Sequence, residues 1–108
     1  MVFDTQTLSR LAERCAELSM SGAVPPETRV QYHAHARRLR ELVIQLLSAR
    51  FDANSAEFKQ ATDAMHDTNH ALTEAAEDLN KITQAVSRLT ALAGYLDKAL
   101  GVAGRVLS

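Results

Sequence analysis

The chain has 108 residues, of which 46% are hydrophobic and 23% charged, and its formal net charge at pH 7 is −1. These values are typical of one globular domain with a small core, and they exclude an intrinsically disordered chain. A nearly neutral chain has no overall positive field for attracting nucleic acid or anionic lipid. We therefore expect no nucleic-acid partner, and any such role would need a local basic patch.

Cysteine usage and the two ends of the chain favour a cytoplasmic protein. Cys15 is the only cysteine, so no intrachain disulfide can form and a reducing compartment fits. The first residues lack the basic and then apolar pattern of a secretory signal. Asp97 and Lys98 lie near the middle of the apolar C-terminal stretch, which argues against a simple membrane span. The excess of arginine over lysine, with abundant alanine, favours a bacterial source.

A glycine and two prolines separate the first two predicted helices. Gly22 suits the position after a helix end, and Pro25 and Pro26 suit the first turn of the next helix. We therefore predict helices over about residues 4–20 and about residues 26–51. Their apolar faces comprise Leu8, Leu11, Cys15 and Leu18 in the first helix, and Leu39, Leu42, Val43, Ile44, Leu46 and Leu47 in the second.

A three-four repeat of apolar residues dominates the second half of the chain. Asn54 and Glu57 match a capping box, and no glycine or proline follows them until Gly94. A heptad pattern of this length predicts one continuous helix over about residues 55–105, which would span about 75 Å. The repeat comprises Phe58, Ala61, Met65, Thr68, Leu72, Ala75, Leu79, Ile82, Val86, Leu89, Ala93, Leu96, Leu100, Ala103 and Leu107, with Thr68 as its polar member.

These elements predict an all-α fold, an antiparallel helical hairpin or three-helix bundle with a very long C-terminal coiled-coil helix. Residues 1–80 would form the bundle, with the second helix lying against the first half of the third. Residues 81–108 would extend the third helix as an amphipathic association arm without a neighbour in its own chain. An alternative stays open, in which the third helix breaks near Asn80 or bends at Gly94 and closes a four-helix bundle. The absence of a turn signal between residues 58 and 93 favours the arm.

The apolar stripe of this arm predicts a non-enzymatic protein–protein interaction module. We expect self-association as a homo-oligomer or binding to another helical protein, as in an adaptor, chaperone, immunity-type or assembly subunit. The alternative is a membrane-active protein whose C-terminal helix, with Arg88, Lys98 and Arg105 on its polar side, binds or enters a bilayer. The expected partner-binding residues are Val86, Leu89, Leu92, Tyr95, Leu96, Leu100, Val102 and Leu107.

Two histidines four residues apart are weak candidates for metal ligands. His66 and His70 would share one helix face with Asp67 nearby. They fall on the polar outer side of the heptad, and the glutamate of the zinc peptidase motif is missing between them. Cys15 belongs to an apolar row, where a buried thiol is inert. We therefore expect no metal site, no cofactor and no catalytic residue.

The sequence HAHARRLR, residues 33–40, is the densest basic cluster. His33, Arg37 and Arg40 form a stripe that could bind phosphate, but no aromatic residues accompany it as in surfaces that bind nucleic acid. In the predicted hairpin the stripe would instead lie beside acidic residues of the third helix, such as Asp63. Exposed pairs of this kind set the register of two helices more than they stabilise them.

Overall fold

Two antiparallel helical hairpins form the fold in the computed structural model, which describes residues 3–105. The first hairpin consists of α1 (Thr5–Ser19) and α2 (Pro26–Leu47). The second consists of α3 (Ala56–Glu77) and α4 (Ile82–Val102). The prediction of an all-α fold is therefore confirmed.

The two hairpins lie side by side, with α1 against α3 and α2 against α4. Two short strands, β1 (Ala49–Arg50) and β2 (Gly104–Arg105), pair antiparallel and join the ends of α2 and α4. Because both helices end at this strand pair, α2 and α4 run parallel. The consecutive helices α2 and α3 lie diagonally across the bundle, so they are not the packed pair that the sequence predicted.

The predicted continuous third helix is wrong, because the chain turns back after Glu77. Asp78 adopts an extended backbone, with φ −134° and ψ 104°. Its carboxylate accepts a hydrogen bond from the backbone N–H of Asn80 at 3.0 Å, within the short 3₁₀ helix Leu79–Lys81 that leads into α4. The molecule is consequently 45 Å in its longest dimension.

The turn is compatible with the heptad because two helices folded against each other satisfy the same pattern as one long helix. Ala75 before the turn and Ile82 after it are both buried, whereas Leu79 within it is 52% exposed. A helix face that repeats every three or four residues specifies which side is covered, but not what covers it. Folding back removes that face from water within one chain, at roughly 25 cal/mol per Å² of apolar surface.

Thr68, the polar member of the heptad, lies buried where α3 meets α4. Its hydroxyl is 2.7 Å from the backbone carbonyl oxygen of Ala64 in its own helix and 3.3 Å from that of Arg88 in α4. The hydroxyl therefore has acceptors despite its burial, as a buried polar group needs.

Aromatic residues close the two ends of the bundle in different ways. At the end that holds the strand pair, Phe3, Phe51 and Phe58 form a cluster with ring centroids 5.3 to 6.3 Å apart. At the other end, the buried hydroxyl of Tyr32 donates a 2.8 Å hydrogen bond to the carbonyl oxygen of Ile82. This bond connects α2 directly to the first turn of α4, so it helps to place the helix that follows the turn.

The predicted capping box at the start of α3 is replaced by a different cap. The hydroxyl of Ser55, not the side chain of Asn54, accepts the hydrogen bond from the backbone N–H of Phe58 at 3.2 Å. Asn54 lies one residue earlier, where its backbone N–H donates to the carboxylate of Asp52 at 2.9 Å. The helix therefore begins within one residue of its predicted start, and the cap is Ser55 rather than Asn54.

Spin labels at Gln60→Cys and Lys98→Cys should lie less than about 30 Å apart, because packed helix axes are separated by about 8–10 Å. A continuous helix would separate them by about 57 Å. Double electron–electron resonance measures this distance. Burial raises the pKa of the Cys15 thiol to about 12, so we expect the native cysteine to stay unlabelled. As a control, spin labels at Gln60→Cys and Glu77→Cys, both within α3, should lie about 25 Å apart in either architecture.

Tyr32→Phe should lower the free energy of unfolding by about 1 kcal/mol, because it removes the buried hydrogen bond to Ile82. Tyr95→Phe is the matched control, since the Tyr95 hydroxyl makes no hydrogen bond with residues 3–105. Its effect should be less than about 0.5 kcal/mol. Urea denaturation of both variants measures the difference, and equal effects would contradict the role given to Tyr32.

Candidate interaction surfaces

The fold covers most of the predicted partner-binding stripe with its own chain. Leu89, Leu92, Leu96 and Leu100 are buried in the core of the bundle. Together with Ala85 and Ala99 they form the buried face of α4, the helix that packs against α3 and α2. These side chains could contact a partner only if α4 left the bundle.

The other predicted partner-binding residues lie at the margins of this core. Val86 and Tyr95 are half-buried and pack against it, with the ammonium nitrogen of Lys98 5.9 Å from the centroid of the Tyr95 ring. Val102, at the end of α4, is 59% exposed. Leu107 lies outside the described residues.

Leu96→Asp should therefore unfold the whole protein. The substitution removes a buried leucine and places a carboxylate in an apolar site, at a combined cost of at least about 4 kcal/mol. Ala91→Asp, at an exposed position of the same helix, is the control and should lower stability by less than about 1 kcal/mol, chiefly through the lower helix propensity of aspartate. Circular dichroism during thermal unfolding measures both. An exposed arm would give the opposite result for Leu96→Asp, with helical content and melting temperature preserved.

Of the two histidines, His70 belongs to a surface ion-pair network that connects α3 to the 3₁₀ helix Leu79–Lys81. His66 and His70 are both exposed, and His70 Nε2 lies 2.9 Å from Glu74 Oε1. Lys81 Nζ lies 3.2 Å from Glu74 Oε2, and its hydrogen bond and charge lower the pKa of that carboxyl group. Among residues 3–105, no three His, Cys, Asp or Glu side chains come together to hold a metal ion.

Burial favours the neutral forms of three titratable groups, two of them fully buried and one half-buried. Burial raises the pKa of the Cys15 thiol and of the Tyr32 hydroxyl, each to about 12. Burial lowers the pKa of His35, whose Nε2 lies 3.5 Å from the hydroxyl oxygen of Thr90. These shifts disfavour a thiolate nucleophile or a charged imidazole at these positions.

The basic stripe of α2 faces solvent rather than the acidic residues of α3, because the two helices lie diagonally across the bundle. His33, Arg37 and Arg40 are all exposed. The paired arginine of the cluster is Arg38, whose guanidinium lies 2.6 Å from Asp97 of α4. Within residues 3–105, neither Arg37 nor Arg40 has a carboxylate within ion-pair distance.

Exposed apolar residues extend the basic stripe at both of its ends. Val30 is 70% exposed before it, and Ile44 and Leu47 are 71% and 63% exposed after it. The combined series keeps strict three-four spacing, which places its members on one side of α2 over about 21 Å between Val30 and Ile44. We call this series the outer seam, and it consists of Val30, His33, Arg37, Arg40, Ile44 and Leu47.

Two shallow depressions flank the outer seam where α2 meets α1. One, of about 430 Å³, includes Met20, Pro26 and Val30 in its lining. The other, of about 290 Å³, includes Val43 and Ile44. Each depression therefore lies beside an apolar end of the seam, where the side chain of an approaching helix could be inserted.

A wider groove of about 600 Å³ runs between α1 and α3. Leu18, Leu72 and Ala76 supply apolar lining, and side chains of both charge signs surround them. The guanidinium of Arg14 crosses toward α3 and donates a 3.0 Å hydrogen bond to the Thr73 hydroxyl. This groove has neither a regular repeat nor a single charge sign, so it specifies a partner less clearly than the outer seam does.

Sequence reasoning identified the basic half of the outer seam and missed its apolar ends. The sequence pattern predicts Ile44 and Leu47 on the same apolar face of α2 as Leu42 and Leu46, and it gives Val30 no face. The signal was present in the sequence, since Val30, Arg37 and Ile44 are one heptad apart.

In comparisons with known protein families, curated proteins and solved structures, nothing matches this chain. Within residues 3–105, none of the helices has the length and apolar character needed to cross a membrane.

Proposed function

We propose that this protein is a non-enzymatic interaction module that binds a helical segment of another protein along the outer seam of α2. The observation that carries the proposal is the spacing of the seam, in which six consecutive three-four positions are all exposed. A second helix fits such a row by coiled-coil-like packing, with its side chains inserted between those of the seam.

The amount of exposed apolar surface supports this choice. Three large aliphatic side chains of one helix, Val30, Ile44 and Leu47, are each more than 60% exposed. Single exposed aliphatic residues are common on protein surfaces, but a set aligned on one helix face is a feature of binding sites. A partner that covered these side chains would remove their apolar surface from water, and this burial would stabilise the complex.

The remainder of α2 supplies a rigid support for such a site. Tyr32, Leu39, Leu42 and Leu46 are buried on the opposite side of the same helix. The outer seam is therefore already helical and fixed in orientation before binding. A preformed surface loses less conformational entropy on association than a segment that must fold first.

Two reactive side chains away from the seam are buried or paired within the fold. Cys15 is neutral and lies in the core, and the exposed His70 pairs with Glu74. The module would then act through shape and surface charge alone, as an adaptor, chaperone-type or assembly subunit does.

Site-specific photo-crosslinking in cells that make the protein tests the proposal. A benzophenone amino acid at Ile44 should give a covalent adduct with one defined protein. The same group at the adjacent exposed residue Gln45, which points away from the seam, should give little or none. Val30→Asp in the chain labelled at Ile44 should reduce the adduct at least about fivefold, because it removes the second apolar anchor.

Each of these variants changes an exposed side chain, so thermal unfolding should match that of the wild type. Equal adducts from Ile44 and Gln45 would indicate random collisions and would contradict binding at the seam. An adduct from Ile44 that Val30→Asp leaves unchanged would contradict the proposal that the two ends bind one helix.

A further inference from the structure

We infer that the partner helix is acidic at its centre and apolar at its two ends. This inference rests on the proposed function and adds the chemistry of the partner. It follows from the order of the seam, in which His33, Arg37 and Arg40 lie between the apolar Val30 and the apolar pair Ile44 and Leu47. A complementary helix would place carboxylates opposite the two arginines and aliphatic side chains opposite the ends.

The two arginines are available for such carboxylates. The nearest acidic residue in α2 is Glu41, one helical turn after Arg37. Its carboxylate pairs with Arg38 and not with Arg37, since Glu41 Oε2 lies 3.6 Å from Arg38 Nη1. Arg38 is in turn held by Asp97 of α4 at 2.6 Å, so this pair is directed away from the seam. Covering Arg37 and Arg40 with an apolar or basic helix would desolvate two cations without compensation.

The same charges argue against a second copy of the chain as the occupant. In either a parallel or an antiparallel pairing of two outer seams, the central arginines of one copy would face those of the other. Like charges brought together in this way repel and oppose association. The seam therefore favours a different protein over self-association.

The acidic face of this same chain is also a poor occupant. The outer side of α3 carries Asp63 and Asp67, both exposed. Within residues 3–105, the large exposed aliphatic side chains outside the outer seam are Met20, Leu79 and Val102, and none of them belongs to α3. A contact between the outer seam of one copy and α3 of another would thus supply carboxylates, but not the apolar side chains that the ends of the seam require.

Three designed helical peptides of about three heptads each test the inference. They share leucines at the positions that face the ends of the seam, and they carry glutamate, glutamine or lysine at the positions that face its centre. Fluorescence anisotropy with the full chain measures their binding. We expect the glutamate peptide to bind at least about tenfold more tightly than the glutamine peptide, and the lysine peptide most weakly. This preference should decrease as salt is added.

Charge reversal within the protein gives a matched control. Arg40→Glu should lower the affinity for the glutamate peptide about tenfold and raise the affinity for the lysine peptide. Arg88→Glu makes the same change in net charge at an exposed position of α4 and should leave both affinities within about twofold. Ile44→Asp should lower the affinity for all three peptides, because it removes an apolar side chain that the leucines of every peptide contact.

The possible outcomes separate the two proposals. Equal binding of the glutamate and glutamine peptides, with loss of both in Ile44→Asp, would overturn the acidic partner and leave the helix-binding function intact. Failure of every peptide to bind, together with no adduct at Ile44, would overturn both proposals. Binding to vesicles of phosphatidylcholine and phosphatidylglycerol that Arg40→Glu abolishes, without binding of the glutamate peptide, would overturn the inference in favour of a membrane surface.

Discussion

Burial of the apolar face of α4 against α3 and α2 is the constraint on which the architecture depends. Leu89, Leu92 and Leu96 are removed from water only because the chain turns back after Glu77. The turn supplies the neighbour that the heptad requires, and it shortens the molecule to 45 Å. The same packing covers the leucines of the C-terminal stripe, whereas Val30, Ile44 and Leu47 of α2 stay exposed.

The position of α2 in the bundle explains why its outer side can bind a partner. Its inner side packs against α1 and α4, and α3 lies diagonally opposite. The acidic residues of α3 therefore do not neutralise Arg37 and Arg40. A basic row with apolar ends remains exposed on a helix whose other side is fixed by Tyr32 and Leu39. Rigidity and incomplete charge compensation together make this face suitable for a second helix.

Several local features were predictable from the sequence because they depend on nearby residues alone. Pro26 begins α2 within the predicted break, and Cys15 lies in the apolar row of α1, where burial was expected. The cap of α3 was displaced by one residue, to Ser55, since two neighbouring polar side chains can both serve as caps. The aromatic cluster of Phe3, Phe51 and Phe58 joins distant parts of the chain and has no short-range signal.

By itself, the sequence determined an all-α chain and which face of each segment of the second half is apolar, because helix propensity and periodicity are local properties. Only the tertiary structure decided whether that face is covered by the same chain or by another. The hydrogen bond from Tyr32 to Ile82 stabilises the folded hairpin by joining residues 50 apart in sequence, whereas Asp78 shapes the turn locally through the backbone N–H of Asn80. For the same reason, only the tertiary structure separates the buried Leu46 from the exposed Ile44 and Leu47, which periodicity had placed on one face.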